Sequence, residues 1–190
     1  MAIATVNVSN RHIHLSKEHA EMLFGKGYAF TKKKVLMQPT QFAANESVTI
    51  SGPRSEIAGV RVVAPERAKT QVEITVSDAR KLGIEVPVRL SGDLAGSAAI
   101  TLKGPAGIVE LKEGCIAAKR HIHFPQKAAD EMNVKTGDKV SLKISGERAL
   151  IYENVIVRAD KNNVELECHL DVEEANAALI KNGDKAEVVK

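Results

Sequence analysis

The sequence is poor in the residues that mark several common protein classes. It has no tryptophan, and aromatic residues make up 3% of its 190 residues. Lys and Arg outnumber Asp and Glu only slightly, 27 against 24. Nucleic-acid-binding proteins usually carry a basic stripe, often with stacking aromatics. We therefore do not expect nucleic acid as a partner, and we interpret the basic run Lys32, Lys33 and Lys34 as an exposed turn.

Long apolar runs and cysteines are also scarce. No apolar run approaches the roughly 18 residues that a membrane-spanning helix needs, so we expect no membrane partner. The cysteines, Cys115 and Cys168, are too few for a disulfide framework and fit a reducing compartment. The N-terminus lacks the basic and apolar regions of a secretory signal. Together these features predict a cytoplasmic protein.

Histidines are few but concentrated. Four of the six lie in two copies of one tetrapeptide, Arg11-His12-Ile13-His14 and Arg120-His121-Ile122-His123. Alternate residues of a strand share a face, so each copy predicts two imidazoles that point the same way and can chelate a transition metal. A single His-x-His pair is more often structural than metal-binding. Two copies in a histidine-poor chain favour two metal-binding half-sites.

The rest of the sequence predicts a mainly β fold with short α-helices. Strands are predicted at residues 6–8, 47–50, 60–63, 71–76, 98–102, 140–144, 155–157 and 164–168. Capping signals predict four helices, at 17–24 after Ser16, after Ser77 and ending before Gly83, at 126–132 after Pro125, and at 172–180 after Asp171. Short strands at this spacing are typical of compact barrels. The small-residue stretch 91–97 predicts a loop, most simply a hairpin connection.

A third ligand for each half-site follows from a second repeat. Each His-x-His segment precedes a predicted helix, and a later strand and helix also recur, so that matching Ala79 with Ala175 places Glu73 opposite His169. The two halves then offer His12, His14 and Glu73, and His121, His123 and His169. Both sets suit Zn²⁺ with an open position for water or substrate. The alternatives are a solvent-facing Glu73 and a loop His169.

Three arginines lie near the predicted ligands. Regular strand geometry points Arg11 and Arg120 away from the chelates, where they bind an anion or pair with a carboxylate. Arg67 is close in sequence to the first set, and its planar guanidinium suits phosphate. The alternative for Arg67 is a surface salt bridge. We interpret His19 as a surface residue and Cys168 as a core residue.

Five ordered segments carry a resemblance to a known family. They are SNRHIHL at 9–15, QFAA at 41–44, TQVEI at 70–74, SGDLAG at 91–96 and RHIH at 120–123. In this order they resemble the PduL family of phosphate acyltransferases (phosphotransacylases), and the likeness covers nearly the whole chain. It implies two small pseudo-symmetric β-barrels capped by helices, with duplicated half-sites. The implied domains are residues 11–118, and residues 119–190 completed by the N-terminal strand 1–10.

The resemblance also implies ligands and partners. Two metal ions, usually zinc, bind the two triads His12, His14 and Glu73, and His121, His123 and His169. Arg67 is the implied catalytic and phosphate-binding arginine, and Ser9, Lys34, Arg61 and Asn176 line the same pocket. The implied substrates are acyl-CoA and phosphate, and the implied assembly is a homodimer.

Some members carry an N-terminal extension that directs them to bacterial microcompartments. This chain starts too near its first strand for one, which makes microcompartment residence and propanediol degradation weaker expectations.

The expected reaction is transfer of a propanoyl or acetyl group between coenzyme A and phosphate at a dinuclear zinc site. Direct attack by a phosphate oxygen fits a sequence with no P-loop, no Rossmann fingerprint and no nucleophile elbow. One alternative is a dinuclear zinc hydrolase such as a thioesterase. Another is a non-catalytic, zinc-stabilised binding module, which requires closed four-ligand sites. Histidine and carboxylate ligands also suit cobalt or iron.

Overall fold

A computed structural model describes residues 2–36 and 41–190. Contacts divide the chain into two compact units, Arg11–Ala118, and Met1–Asn10 with Lys119–Lys190. Met1 and residues 37–40, which these ranges include, lie outside the described residues. The division falls at the limits that the family resemblance implies for the domains. That each unit is a separate domain stays a prediction.

The described residues form fourteen strands and four helices. In chain order they are β1 (Ala2–Ser9), β2 (His12–His14), α1 (Lys17–Phe24), β3 (Lys32–Val35), β4 (Phe42–Ser51), β5 (Glu56–Ala64), β6 (Gln71–Glu73), α2 (Val76–Leu82), β7 (Val88–Arg89), β8 (Ala98–Lys103), β9 (Ile108–Ala118), β10 (His121–Pro125), α3 (Gln126–Glu131), β11 (Lys139–Ile144), β12 (Leu150–Asp160), β13 (Glu167–Asp171), α4 (Val172–Ala178) and β14 (Lys185–Val189). Within this part of the chain, no helix has the length and apolar composition needed to cross a membrane.

The unit from residue 11 to residue 118 contains a closed six-stranded barrel. Its strands follow one another around the ring in the order β2, β5, β4, β8, β9 and β6. The short strands β3 and β7 extend the sheet beside β4 and β9. Ile13, between the two histidines of β2, is fully buried in the apolar core. Because side chains alternate, the histidines lie on the opposite face of that strand.

The other unit repeats this barrel with β10, β12, β11, β14, β1 and β13. Each pair of neighbours has the same relative direction as its counterpart; β10 runs parallel to β12 as β2 does to β5. The position of β9 is taken by β1, so the second barrel is a circularly permuted copy of the first. Ile122 is buried in its core as Ile13 is in the other. The predicted fold of two pseudo-symmetric β-barrels with short helices is confirmed.

The helices follow equivalent strands in the two barrels. Helices α1 and α3 follow the His-x-His strands β2 and β10, and α2 and α4 follow β6 and β13. Ser16 caps α1 by accepting a hydrogen bond from the His19 backbone N–H, as the sequence predicts. Asp171 forms the predicted capping box with Glu174 at the start of α4.

Some predicted boundaries are wrong. Helix α2 is capped by Thr75 rather than Ser77, because the Thr75 side chain accepts a hydrogen bond from the Asp78 backbone N–H. The chain therefore leaves strand β6 at Glu73, before the predicted end at residue 76. Helix α4 ends at Ala178, before the predicted end at residue 180. Leu179, the residue after the helix, adopts a left-handed conformation.

Three further interpretations are also corrected. The run Lys32 to Lys34 lies on the exposed strand β3, which pairs with β4, and is not a turn. The loop 91–97 does not close a hairpin, because β7 pairs with β9 rather than with β8. The strand predicted at 164–168 lies at 167–171, so His169 is on a strand and not in a loop.

Candidate metal centre and substrate site

The first half-site is built on β2 and its antiparallel neighbour β6. His12 lies directly opposite Glu73, and His14 projects from the same face two residues on. Nε2 of His12 is 3.6 Å from Oε2 of Glu73, and Nε2 of His14 is 4.0 Å from Oε1. One potential ligand atom from each residue lies within 4.8 Å of the other two. These three donors converge closely enough to hold one ion.

The second half-site uses the equivalent strands β10 and β13. His121 lies opposite His169, and their rings stack with centroids 4.8 Å apart. The His123 ring meets His169 edge-on at 4.9 Å. All three offer ligand atoms within 4.8 Å of one another. Nδ1 of His121 is 3.0 Å from the Lys119 carbonyl oxygen, so its Nε2 is left to face a ligand.

Burial keeps most of these imidazoles neutral. It lowers the pKa of His14 to about 2, helped by the positive charges of His12 and Arg67. Burial and the neighbouring His169 lower the pKa of His121 to about 3 and that of His123 to about 4. A histidine must be deprotonated to bind a metal. His14, His121 and His123 are therefore ready to donate lone pairs at neutral pH.

Arg67 is tied to the first half-site by backbone and side-chain hydrogen bonds. Its backbone N–H donates to the Leu15 carbonyl at 2.8 Å, which fixes the segment beside β2. Its Nη1 donates to Ser91 Oγ at 3.2 Å. Gln71 Nε2 donates to the same hydroxyl at 2.8 Å and also to Glu73 Oε1. Ser91 and Gln71 thus connect Arg67 to Glu73.

The glycine-rich loop contributes to this network. The Gly92 backbone N–H donates to Gln71 Oε1 at 2.7 Å, so the Gln71 amide uses both its ends. Gly92 has a φ of 98°, a conformation that favours glycine. The loop predicted from small residues therefore brings Ser91 and a backbone donor to the site.

The two flanking arginines pair with carboxylates. Arg11 donates from Nε and Nη2 to both carboxylate oxygens of Asp78, at 2.7 and 2.8 Å. Arg120 Nη1 lies 3.2 Å from Glu174 Oε1. Burial raises the pKa of Glu174 to about 6. Each pair links the residue before a His-x-His strand to the helix that follows the third ligand, α2 in one barrel and α4 in the other.

The remaining predicted pocket residues lie in varied surroundings. Arg61 is opposite His12 on β5, and its Nη1 donates to the Ala44 and Asn45 carbonyls at 3.1 and 2.6 Å. Ser9 Oγ donates to the Leu170 carbonyl at 3.4 Å. The other two, Lys34 on β3 and Asn176 on α4, are exposed. The substrate-binding roles of Ser9, Lys34, Arg61 and Asn176 stay predictions.

The structure confirms the interpretation of Cys168 and corrects that of His19. Cys168 is fully buried in a barrel core, as expected. His19 is not a simple surface residue, because it is half-buried and its Nδ1 lies 2.8 Å from Thr70 Oγ1. Gln71 and Glu167, two positions before the third ligands, did not enter the sequence-based set. The alternation of strand side chains could have found both.

Comparison with known proteins identifies the family. A sequence model of the family described as phosphate propanoyltransferase matches residues 5–181. The chain belongs to this family. Phosphate propanoyltransferase of Thermotoga maritima is 49% identical over 186 residues, which cover 97% of this chain and 88% of the relative. That of Lachnoclostridium phytofermentans is 50% identical over 94% of this chain and 83% of the relative.

A more distant relative gives the same result over the full length. Phosphate propanoyltransferase of Clostridioides difficile is 42% identical, covering 100% of this chain and 90% of the relative. The expected phosphate acyltransferase family is confirmed, and the chain is an enzyme of that class.

Proposed function

We propose that this phosphate propanoyltransferase family member transfers a propanoyl or acetyl group between coenzyme A and phosphate, with one divalent metal ion, most simply Zn²⁺, at each half-site. The observation that carries the proposal is the convergence of two three-donor clusters on equivalent strands. Family membership gives the reaction class, and the two donor clusters support the proposed positions of the metal ions.

The donor sets fit such an ion. Two histidines with a carboxylate, and three histidines, are ligand sets of catalytic zinc sites, which keep a position open. A closed structural site would need a fourth protein ligand in each cluster. His169 Nε2 is buried and, among the described residues, makes no hydrogen bond of regular geometry, although Glu167 Oε1 lies 3.3 Å away; a bound ion would take its lone pair. When bound, an ion supplies Lewis acidity toward a phosphate or carbonyl oxygen.

Arg67 is the proposed phosphate-binding residue. Its guanidinium has the fork geometry and permanent charge that suit phosphate oxygens. Ser91 and Gln71 hold it in fixed relation to Glu73. A phosphate held there is oriented for attack on a thioester carbonyl, and positioning of this kind removes up to about 7–11 kcal/mol of barrier.

The proposed reaction needs no acyl-enzyme. A phosphate oxygen forms a bond to the carbonyl carbon, the carbon–sulfur bond breaks, and coenzyme A leaves as the thiolate. Arg67 remains beside the negative charge that develops on the reacting groups. Cys115 and Cys168 are unsuited to act as nucleophiles, because burial raises the pKa of each thiol to about 12.

We also propose substrate-binding roles for four other residues, Ser9, Lys34, Arg61 and Asn176. We also propose that the enzyme acts in the cytoplasm as a homodimer. These assignments rest on the family resemblance. Substitution of each residue by Ala, followed by separate measurement of KM for phosphate and for acyl-CoA, tests which substrate each one contacts.

The reaction is tested by thiol release from propanoyl-CoA, with and without phosphate, with hydroxylamine trapping of any acyl phosphate. Release that needs phosphate and yields hydroxamate supports the proposal. Release without phosphate identifies a thioesterase. No release from protein supplied with Zn²⁺ contradicts an acyl-transfer function for this chain.

A matched pair of arginine variants tests the phosphate site. Arg67→Ala should lower kcat/KM for phosphate by about 100- to 1,000-fold, with unchanged metal content. Arg148→Ala removes an exposed arginine and should leave both quantities as in the wild type. Phosphate use at the wild-type rate by Arg67→Ala would remove this residue from the mechanism.

A further inference from the structure

The two half-sites carry a carboxylate at different positions of equivalent strands. Strand β6 reads Gln-Val-Glu at 71–73, and the equivalent strand β13 reads Glu-Cys-His at 167–169. In the first barrel His14 lies opposite Gln71, and in the second His123 lies opposite Glu167. Glu167 therefore stands where the first barrel has a neutral amide, on the same strand face as His169.

Glu167 is buried and held in place beside a predicted ligand. Its Oε1 lies 3.3 Å from His169 Nε2. Asn7, which is opposite His169 on β1, donates from Nδ2 to the same oxygen at 2.6 Å. The side chain of Glu167 is 9% exposed, so solvent does little to screen its charge.

Charge balance gives this carboxylate a function. Glu73 would bring one negative charge to a divalent ion in the first half-site, whereas three histidines bring none in the second, because an imidazole that binds a metal is neutral. An uncompensated divalent charge in a buried site is costly. We propose that Glu167 is the charge-balancing carboxylate of the second half-site, held by Asn7 beside His169 and equivalent in charge to Glu73. The inference rests on the proposed metal sites.

The test uses the variant His12→Ala, in which the first half-site is disabled and the second can be measured alone. Metal-free protein is titrated with Zn²⁺ against a chromophoric chelator, and circular dichroism checks the fold. In this background Glu167→Gln should weaken Zn²⁺ binding by about 10- to 100-fold. Glu165→Gln, an exposed carboxylate two residues earlier, should leave the affinity unchanged.

Two further variants keep the test decisive if Glu167→Gln does not fold. Asn7→Ala leaves the carboxylate in place but removes its hydrogen bond, and should weaken binding by a smaller factor. The double variant Glu167→Gln with His169→Glu gives β13 the arrangement of β6, and should restore affinity to within a few-fold of the parent.

The possible failures can be told apart. If wild-type protein binds no Zn²⁺, the proposed metal sites themselves are wrong. If it binds two ions but Glu167→Gln keeps the parent affinity within about threefold, only the role of Glu167 is overturned. The same conclusion follows if the double variant binds no better than Glu167→Gln alone.

Discussion

The two barrels share a backbone frame but distribute their polar groups differently. In the first, the carboxylate Glu73 is one of the converging donors, and its neighbour on the same strand face is the neutral Gln71. In the second, His169 is the donor and Glu167 is the neighbour. Strand order, direction and register are kept while the charged group moves by two residues. The duplication therefore preserves the positions of donors more strictly than their chemical identity.

The surroundings of the two half-sites differ in a second way. Gln71 Nε2 donates to Ser91 Oγ, which also accepts a hydrogen bond from Arg67 Nη1, whereas Glu167 accepts a hydrogen bond from Asn7. Arg67, the arginine proposed to bind phosphate, is thus coupled to the first half-site through side chains of the same barrel. We infer that the first half-site is the one that places phosphate.

The largest expected effect on activity comes from removing a single ligand histidine, in separate variants for the two half-sites. His12→Ala and His121→Ala should each lower kcat/KM by more than about 100-fold, because loss of a ligand costs more than the 10- to 100-fold typical of outer partners. Phosphate-dependent thiol release at saturating Zn²⁺ measures both. If one variant keeps wild-type activity, the two half-sites are not both needed for the reaction.

A smaller effect should follow from cutting the link between Arg67 and Glu73. Gln71→Ala should lower kcat/KM for phosphate by about 10- to 100-fold, because Ser91 and Glu73 each lose a hydrogen bond from its amide. Gln126→Ala, at an exposed glutamine of α3, is the matched control and should change nothing. Equal kinetics for the two variants would show that the network does not position Arg67.

The buried histidines should make the metal-free protein sensitive to acid. The pKa values of His14, His121 and His123 are lowered to about 2, 3 and 4 in the folded state, whereas unfolded histidine titrates near 6.5. Below about pH 6.5 the unfolded state therefore binds more protons, and stability falls as the pH is lowered.

Urea unfolding of the metal-free protein at pH 7.5, 6.0 and 5.0 measures this effect. The transition midpoint should decrease at each step. Replacing His14 by Phe should reduce the dependence on pH, because one proton-binding group is removed from the unfolded state. A midpoint that stays constant or rises on acidification would contradict the burial of these imidazoles.

The two arginine pairs should differ in their contribution to folding. Arg11 makes two short hydrogen bonds to Asp78, whose side chain is 8% exposed, whereas the Arg120 and Glu174 side chains are 30% and 24% exposed. Arg11→Ala should cost about 2–3 kcal/mol, because it leaves a buried carboxylate unpaired. Arg120→Ala should cost about 1 kcal/mol.

Urea unfolding of both metal-free variants at pH 7.5 measures the difference. The double variant Arg11→Ala with Asp78→Ala should lose less stability than the sum of the single variants. Equal losses for Arg11→Ala and Arg120→Ala would show that burial of the carboxylate partner does not set the strength of these pairs.

Local patterns explain what the sequence could predict. The alternation of side chains along a strand placed His12 with His14 and His121 with His123, and the second repeat pointed to Glu73 and His169. Within each set, the structure brings the three residues together. That they bind metal stays a prediction. The same alternation also contains Gln71 and Glu167, so these could have been read from the sequence.

Contacts set by barrel closure could not be predicted from local patterns. The hydrogen bond from Asn7 to Glu167 joins residues 160 positions apart, and depends on β1 completing the second barrel. The cap of α2 is another case, because Thr75 and Ser77 are both suitable caps and the choice depends on where β6 leaves the sheet. Sequence patterns predict which side chains share a face, but not which distant strand provides their partners.

The number of metal ions per chain is the most direct test of the two half-sites. Native mass spectrometry of protein supplied with Zn²⁺ should show two ions in the wild type. His12→Ala and His121→Ala should each retain one ion. A wild-type protein without bound metal, or two ions retained in both variants, would contradict the assignment of one ion to each set of donors.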